Sequence, residues 1–344
     1  MQRNFVRVTL VATTMAVMAL ALGTLGASAQ SPEKKSLKLG VGGKPSLYYL
    51  ALTLAEQLGY FKEQGLDVEI NDFAGGAKAL QSLIGGSVDV VTGAYEHNIR
   101  MQAKGQDIRA VIELGRYPAI NILVRKDRPY KTAADLKGMK IGVSAPGSST
   151  QLVAQYVMVQ AGLKPDDASF IGVGLGAAPV AAIKKGDIDA LSNTEPANSK
   201  LVKDGDVIVV ADTTTTEGVT KLLGGPMSAG VLYTKAEFID KNPNTVQALV
   251  NAFYKTLKWL EKATPDEVAA KMPEEYMLGD KATYIAAIKA MSDAFSKDGV
   301  IRPEVQQRSL AFLQKFDDEL KTAKIDLSKT WDGRFVAKAA ETIK

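Results

Sequence analysis

The residues that do most protein chemistry are scarce in this chain. His97 is its only histidine, and cysteine is absent. That leaves no Ser–His–Asp set that a motif marks out, no thiol nucleophile, and no set of three or four nitrogen or sulfur ligands for zinc. No G-x-x-x-x-G-K-[ST] loop occurs, and Gly172-Val173-Gly174-Leu175-Gly176 lacks the spacing of a dinucleotide fingerprint. Carboxylates are plentiful, but no pair stands apart for acid–base work. The residue types speak for binding, with no catalytic residue, no metal and no cofactor.

What remains is a set of short loops rich in glycine and hydroxyl groups. Met139 to Val143 reads as a buried strand. It runs into Ser144-Ala145-Pro146-Gly147-Ser148-Ser149-Thr150, and then the apolar positions Leu152, Val153, Tyr156 and Val157 take up a helical period. The first amides of a helix lack intrahelical partners and share the positive end of its dipole, so such a loop suits the anionic or carbonyl end of a small ligand. Ser144, Gly147, Ser148, Ser149, Thr150 and Gln151 are candidate ligand contacts on this ground. The same reasoning adds Gly43, Lys44, Pro45 and Tyr48, then Gly75 and Gly76, then Thr92, Gly93, Ala94 and Tyr95. Further along it adds Gly174, Gly176, Asn193 and Glu195. Tyr48 and Tyr49 cannot both face a cleft from one helix, which assigns Tyr49 to the core. Glu96 and His97 read as solvated loop residues. Lys44, Arg116 and Glu195 are of mixed sign, so the loop chemistry favours an anionic ligand without fixing its charge.

These loops are positioned by a unit that occurs twice. Leu37-Lys38-Leu39-Gly40-Val41 is echoed by Met139-Lys140-Ile141-Gly142-Val143, at an offset of 102. Gly65-Leu66 returns as Gly162-Leu163 at 97, and Ala74-Gly75-Gly76-Ala77 as Gly174-Leu175-Gly176-Ala177 at 100. Gly86-Ser87-Val88-Asp89-Val90 returns as Gly186-Asp187-Ile188-Asp189-Ala190, again at 100. The pattern predicts two βαβαβ units, each a mostly parallel sheet flanked by helices, with every candidate loop at a strand's carboxyl end. Residues 36–118 form the first part of lobe 1 and 119–235 form lobe 2. The helical stretch 236–344 returns mainly to lobe 1. The crossings near Tyr117–Arg125 and Met227–Tyr233 are the expected hinge. Asn242-Pro243 opens a helix whose apolar face is Val246, Leu249, Val250, Phe253, Leu257 and Leu260. Trp259 and Trp331 are expected to pack core.

The first 29 residues are read separately. Arg3 and Arg7 precede an apolar run from Val8 to Leu25, and Ala27-Ser28-Ala29 ends it as a cleavage site does. This is the pattern of a secretory signal peptide. Its removal takes two arginines and no acid, so the formal charge falls from +4 to +2. There is no basic stripe for nucleic acid and no cysteine for a lipid anchor. A monomer free in the periplasm, with no stable insertion in the membrane, is the expectation.

Several stretches carry a resemblance: Ala55-Glu56-Gln57-Leu58-Gly59-Tyr60-Phe61 with Gly65-Leu66, Asp135 to Val143, and Gly186 to Ala190 running on to Glu195-Pro196. Together they resemble the periplasmic solute-binding proteins of ABC importers, in the NMT1/THI5-like group of taurine, alkanesulfonate, nitrate and thiamine-precursor binders. The resemblance spans roughly Leu37 to Leu260. It implies a two-lobed type II periplasmic-binding fold, closure on a small-molecule ligand in the inter-lobe cleft, and delivery to a permease and ATPase complex. A sensory module presenting its ligand to a membrane receptor is the alternative. A pyrimidine-synthase-like enzyme comes third, since that relative uses a cysteine-rich motif. Two positions depart from the sulfonate binders: Gln151 where they carry histidine, and Thr92-Gly93-Ala94 where they show Thr-Gly-Asp.

Overall fold

The computed structural model describes residues 31–344, so the leader read at 1–29 lies outside the described residues. Its strands are β1 Ser36–Val41, β2 Asp67–Asp72, β3 Val90–Ala94, β4 Ile108–Glu113, β5 Ile120–Arg125, β6 Lys140–Val143, β7 Ser169–Gly172, β8 Ala190–Thr194, β9 Val207–Asp212 and β10 Gly230–Lys235. The helices that bear on the site are α1 Leu50–Gln57, α2 Gly76–Ile84, α3 Glu96–Ala103, α4 Ser149–Gln160, α5 Ala177–Lys185, α6 Ala197–Asp204, α7 Pro243–Leu260 and α8 Pro303–Gln314.

Two five-stranded sheets result, ordered β2-β1-β3-β10-β4 and β7-β6-β8-β5-β9. In the first, β1 runs parallel to β2 and β3, and β10 lies antiparallel between β3 and β4. The second copies it, with β5 in the place of β10. The repeat read from the sequence therefore extends to the whole sheet order. β3 and β8 are buried along their whole length because helices or neighbouring strands cover both faces. On β1, Leu37, Leu39 and Val41 point into the core while Lys38 is exposed, the alternation a sheet near its edge imposes.

In each sheet the antiparallel strand is the one that has just crossed from the other lobe. The strand Gly230–Lys235, counted within lobe 2 from the sequence, thus pairs in the first sheet. The two crossings run side by side and are bonded to each other: Gly115 N donates to Gly230 O at 2.9 Å and Met227 N to Arg116 O at 3.2 Å.

α7 starts at Pro243 and buries Val246, Leu249, Val250, Phe253 and Leu257 as expected. Phe253 meets Phe61 edge-on at 5.4 Å between ring centroids. Later helices touch both lobes rather than lobe 1 alone. Phe312 of α8 lies against Tyr156 of α4 at 4.8 Å, and Arg100 of α3 meets Asp317 at 3.5 Å. Trp331, partly buried, bridges to Ala110 of β4, and Trp259 is likewise partly buried against a helical core. No helix among the described residues is long and apolar enough to cross a membrane.

Candidate functional site

The carboxyl ends of β1, β3, β6 and β8 point at one another across the gap between the lobes. The loop after β6 is built around Thr150, whose Oγ1 accepts from Ser144 N at 3.0 Å and bonds the Ser144 hydroxyl at 3.0 Å. Pinned this way, the loop presents Ser148 and Ser149 to lobe 1. Ser148 precedes α4 but makes no capping bond to its own helix. Its Oγ accepts instead from Ala77 N, in the first turn of α2 on the other lobe, at 2.9 Å. The Ser149 hydroxyl donates to the Glu96 carboxylate at the start of α3.

Three more bonds cross the gap. Ser46 Oγ and Thr194 Oγ1 are 2.7 Å apart, Leu47 N donates to Glu195 O at 3.0 Å, and Arg100 Nη1 donates to Gly147 O at 3.1 Å. Each such bond contributes about 0.5–1.5 kcal/mol net. The lobes are closed on each other, and glycines let them come this close. A Cβ on Gly43 would sit 2.5 Å from the Leu175 side chain, and one on Gly75 2.8 Å from Ala145 Cβ, both at positive φ.

Closure leaves only a small cavity, of about 20 Å³, bounded by Tyr48, Tyr49, Gly76 and Ala94 of lobe 1 and by Ser144, Ser148, Ser149, Thr150, Thr194, Leu175 and Ile120 of lobe 2. A second cavity, of about 10 Å³, lies deeper and shares Tyr48 and Ser149 with the first. Its wall adds Glu96, Pro118, Leu152, Val153, Met227, Ser228, Ala229 and Phe312. The Tyr48 hydroxyl is buried without a hydrogen-bond partner among the described residues, and the Ser228 hydroxyl lies by the Glu113 carboxyl.

Seven of the candidates therefore line the first cavity: Tyr48, Gly76, Ala94, Ser144, Ser148, Ser149 and Thr150. Others frame it without reaching it. Gly43, Pro45, Gly75, Gly147 and Gly176 form the touching rims of the two lobes. Gln151 turns back, its Oε1 accepting from Gly147 N at 2.8 Å. Gly174 O accepts from the Asn193 amide at 3.2 Å, so both shape the loop after β7.

The remaining calls need correction. Lys44 is held away by Glu56, one face of lobe 1 pairing with itself at 2.5 Å. Thr92 and Gly93 lie within β3, where the Tyr233 ring covers Gly93. Tyr95 is fully buried and its hydroxyl bonds Thr330, because the C-terminal segment draws it inward. Glu195 turns its carboxylate to Ser199 N at 2.9 Å, capping α6. Tyr49 does border the cavity beside Tyr48. Leu47–Tyr49 is a 3-10 turn rather than α-helix, and the two rings meet edge-on at 5.0 Å.

Glu96 and His97 are buried, not solvated. His97 Nδ1 bonds the Tyr233 hydroxyl at 3.0 Å, while Nε2 has no partner among the described residues. Burial, helped by the charge of Arg100, pushes the imidazole down to about 3, so it is neutral at physiological pH. Burial likewise raises the Glu96 carboxyl, opposed by its bond from Ser149. Thr194, Leu175 and Ile120 were missed. Thr194 was legible as a hydroxyl at a strand's carboxyl end; the two apolar residues carry no signal that separates cavity wall from core.

Arg116 faces elsewhere, into an open groove of about 920 Å³ on the far side of the crossings, with Glu113, Lys297, Arg302 and Arg308. Glu113 closes β4 and accepts from Ser296 Oγ at 3.0 Å. Burial raises its carboxyl to about 7. A carboxyl raised in the folded state favours folding most while protonated, and that advantage is lost as pH climbs from about 4.5 through 7. Glu113→Gln removes the charge and keeps an acceptor for Ser296. It is expected to be more stable than the unaltered protein at pH 8 by up to about 3 kcal/mol, and nearly equal at pH 5. Calorimetric melting at the two values checks this, and an equal difference at both would refute it.

The chain matches the NMT1/THI5 like family model over residues 46–268. It belongs to that family. Members of the NMT1/THI5-like family serve as substrate-binding proteins of ABC importers, sulfonate and nitrate binders among them, and the fold is that of periplasmic binding proteins. Among curated relatives, the putative binding protein YtlA of Bacillus subtilis is 26% identical over 67% of this chain and 68% of its own. The 4-amino-5-hydroxymethyl-2-methylpyrimidine phosphate synthase THI13 of Saccharomyces cerevisiae is 29% identical over 64% of each chain. A solved structure from Bordetella bronchiseptica RB50 is 49% identical, with a TM-score of 0.89, covering 91% of this chain and 99% of that one. Several structural neighbours are named as sulfonate- or nitrate-binding proteins, whereas the yeast relatives are named as synthases and one neighbour in fold, DSZB, as a desulfurization enzyme.

Proposed function

We propose that this protein is the periplasmic substrate-binding component of an ABC importer, exported by the leader at 1–29. It captures a small polar organic solute between its lobes and delivers it to a permease and ATPase complex. The observation that carries this reading is the convergence of loops from both lobes on one small cavity, with the lobes connected through two bonded crossings and the helices of the C-terminal segment. In this closed form the space has room for about one water, so a bound solute requires the lobes to stand further apart than they do here. Hydroxyls of Ser148, Ser149, Thr150 and Thr194 and the starts of α2 and α4 offer donors to an acceptor end of that ligand, and Leu175, Ile120 and the two tyrosines give an apolar wall. Opening admits the solute, and closure shifts the equilibrium by as much as the ligand prefers the closed state.

The chain lacks the cysteine that the pyrimidine-synthase-like enzyme uses, which favours a binder over that enzyme. A thermal-shift panel of sulfonates, carboxylates, nitrate and pyrimidines, followed by titration calorimetry, tests the reading. Absence of any ligand at micromolar affinity would speak against it, and chemical change in a bound compound would revive the enzyme. Ser148→Ala removes the bond to Ala77 N and is expected to weaken the bound complex about five- to tenfold, near 1 kcal/mol, with the unliganded melting temperature unchanged. Unchanged affinity would remove Ser148 from the closure.

A further inference from the structure

The two cavities differ in what they ask of a ligand. The outer one is bordered by hydroxyls and helix starts that donate. The deeper one is bordered by one carboxyl group, Glu96, together with the Tyr48 hydroxyl, which has no partner among the described residues, and the Ser228 hydroxyl, which lies by the Glu113 carboxyl. Glu96 is 6% exposed, and its one side-chain bond among the described residues is the one it accepts from Ser149. Neither lining includes a lysine or an arginine. Arg100, one turn along α3 from Glu96, is turned away to Gly147 O at 3.1 Å and to Asp317 at 3.5 Å. A carboxyl group buried in a largely apolar wall, with one donor in Ser149 and Arg100 bonded elsewhere, is costly to ionise unless a further donor reaches it.

Resting on the reading of this cleft as a solute site, we infer that its ligand carries a protonated nitrogen, an ammonium or a ring N–H, which enters the deeper cavity and donates to Glu96. The Tyr48 hydroxyl then accepts from the same group or orients it. Leu152, Val153, Met227 and Phe312 enclose the carbon skeleton that joins it to the acceptor end held at the outer cavity. A ligand that is purely anionic, such as a simple alkanesulfonate or nitrate, leaves Glu96 facing a like charge or an unfilled apolar space. Glu96 is in this way the residue that sets specificity.

The test uses matched pairs that differ in one amine: 4-(aminomethyl)benzoate with 4-methylbenzoate, 3-aminopropane-1-sulfonate with propane-1-sulfonate, and benzylamine with benzyl alcohol. Calorimetric affinities for the full mature protein are expected to favour the amine-bearing member of at least one pair by tenfold or more. That preference should vanish in Glu96→Gln, which still accepts from Ser149 through its amide oxygen; the unliganded melting temperature of the variant reports its fold. Should the variant not fold, the pairs on the unaltered protein decide alone. Equal or tighter binding of the amine-free members, or a preference that survives Glu96→Gln, overturns the inference and leaves the binding-protein reading standing. If no member of any pair binds, the inference falls. If protein purified from its own host then also carries no ligand in native mass spectrometry, the reading of the cleft falls with it.

Discussion

One added methyl group at position 75 is expected to cost about two orders of magnitude in ligand affinity. Gly75 precedes α2 with φ of 109° and touches the loop after β6. A Cβ there would sit 2.8 Å from Ala145 Cβ, 2.9 Å from Ala145 N and 3.0 Å from Ser144 C. Two of those atoms are backbone of the opposite lobe, held by the Thr150 bonds, and cannot yield as a side-chain tip would. Gly75→Ala therefore opposes closure while leaving the open form free of the clash. Ligand that binds only the closed form has its affinity reduced by the fraction of protein able to close, and a penalty of about 3 kcal/mol corresponds to more than a hundredfold.

The positive φ carries its own cost, so a control is needed. Gly174, at φ of 71°, has nothing within 4 Å of where its Cβ would be. Gly174→Ala bears the milder strain of the left-handed region without the collision and should bind nearly as the unaltered protein does. Calorimetry on both variants, with small-angle scattering to see whether Gly75→Ala stays extended with ligand present, decides the matter. Equal loss in the two variants would mean strain, not closure, is responsible.

His97 is expected to make the protein acid-labile. It is 1% exposed, and protonation would place a charge where Nε2 has no acceptor and Arg100 repels it. Its folded value is about 3 against about 6.5 when unfolded, so the unfolded chain takes up the proton first as pH falls. Stability associated with the neutral imidazole is complete above pH 6.5 and drains away as pH falls toward 3. The loss is as much as about 5 kcal/mol in full, and roughly half of that by pH 4.5. Glu96 and Glu113, both raised, act in the opposite sense as they protonate, which partly masks the effect in the unaltered protein. His97→Gln isolates it. The variant should be less stable than the unaltered protein at pH 7.5, through loss of the Tyr233 bond, and should close the gap or overtake it at pH 4.5. Urea midpoints at both values measure this; parallel curves would place the acid lability elsewhere.

Much of the fold was legible because it rests on local signals. The strand–loop–helix rhythm of Leu37 to Val90 recurs from Met139 to Ala190, and glycine marks each turn. The antiparallel strand of each sheet was not legible as such. β10 and β5 fit by long-range pairing, and their sequences say only that they are apolar. At the site, Ser144 and Ser148 to Thr150 could be read because hydroxyls gather between a strand's carboxyl end and a helix start in both halves of the repeat, although such hydroxyls often only cap their own helix. Tyr95 and His97 could not, since their partners Thr330 and Tyr233 lie 235 and 136 positions away. Tyr48 and Tyr49 share the cavity because it reaches around their turn, which no spacing of residues reveals. Lys44 was misplaced for a simpler reason: a charge near a cleft was given to the cleft, and its partner Glu56 sits three turns along the same segment.

The pairing of Gly115 with Gly230 and of Arg116 with Met227 has a mechanical consequence. Two separate linkers would let one lobe swivel about either of them. Two strands bonded edge to edge form a ribbon, which bends readily across its face but resists shear in its plane and twist along its length. The lobes are thereby left with something close to a single degree of freedom. Ser148 and Ala77, once parted, then travel back along the same arc, and the registry of every contact between the rims is stored in the ribbon even while the cleft stands open.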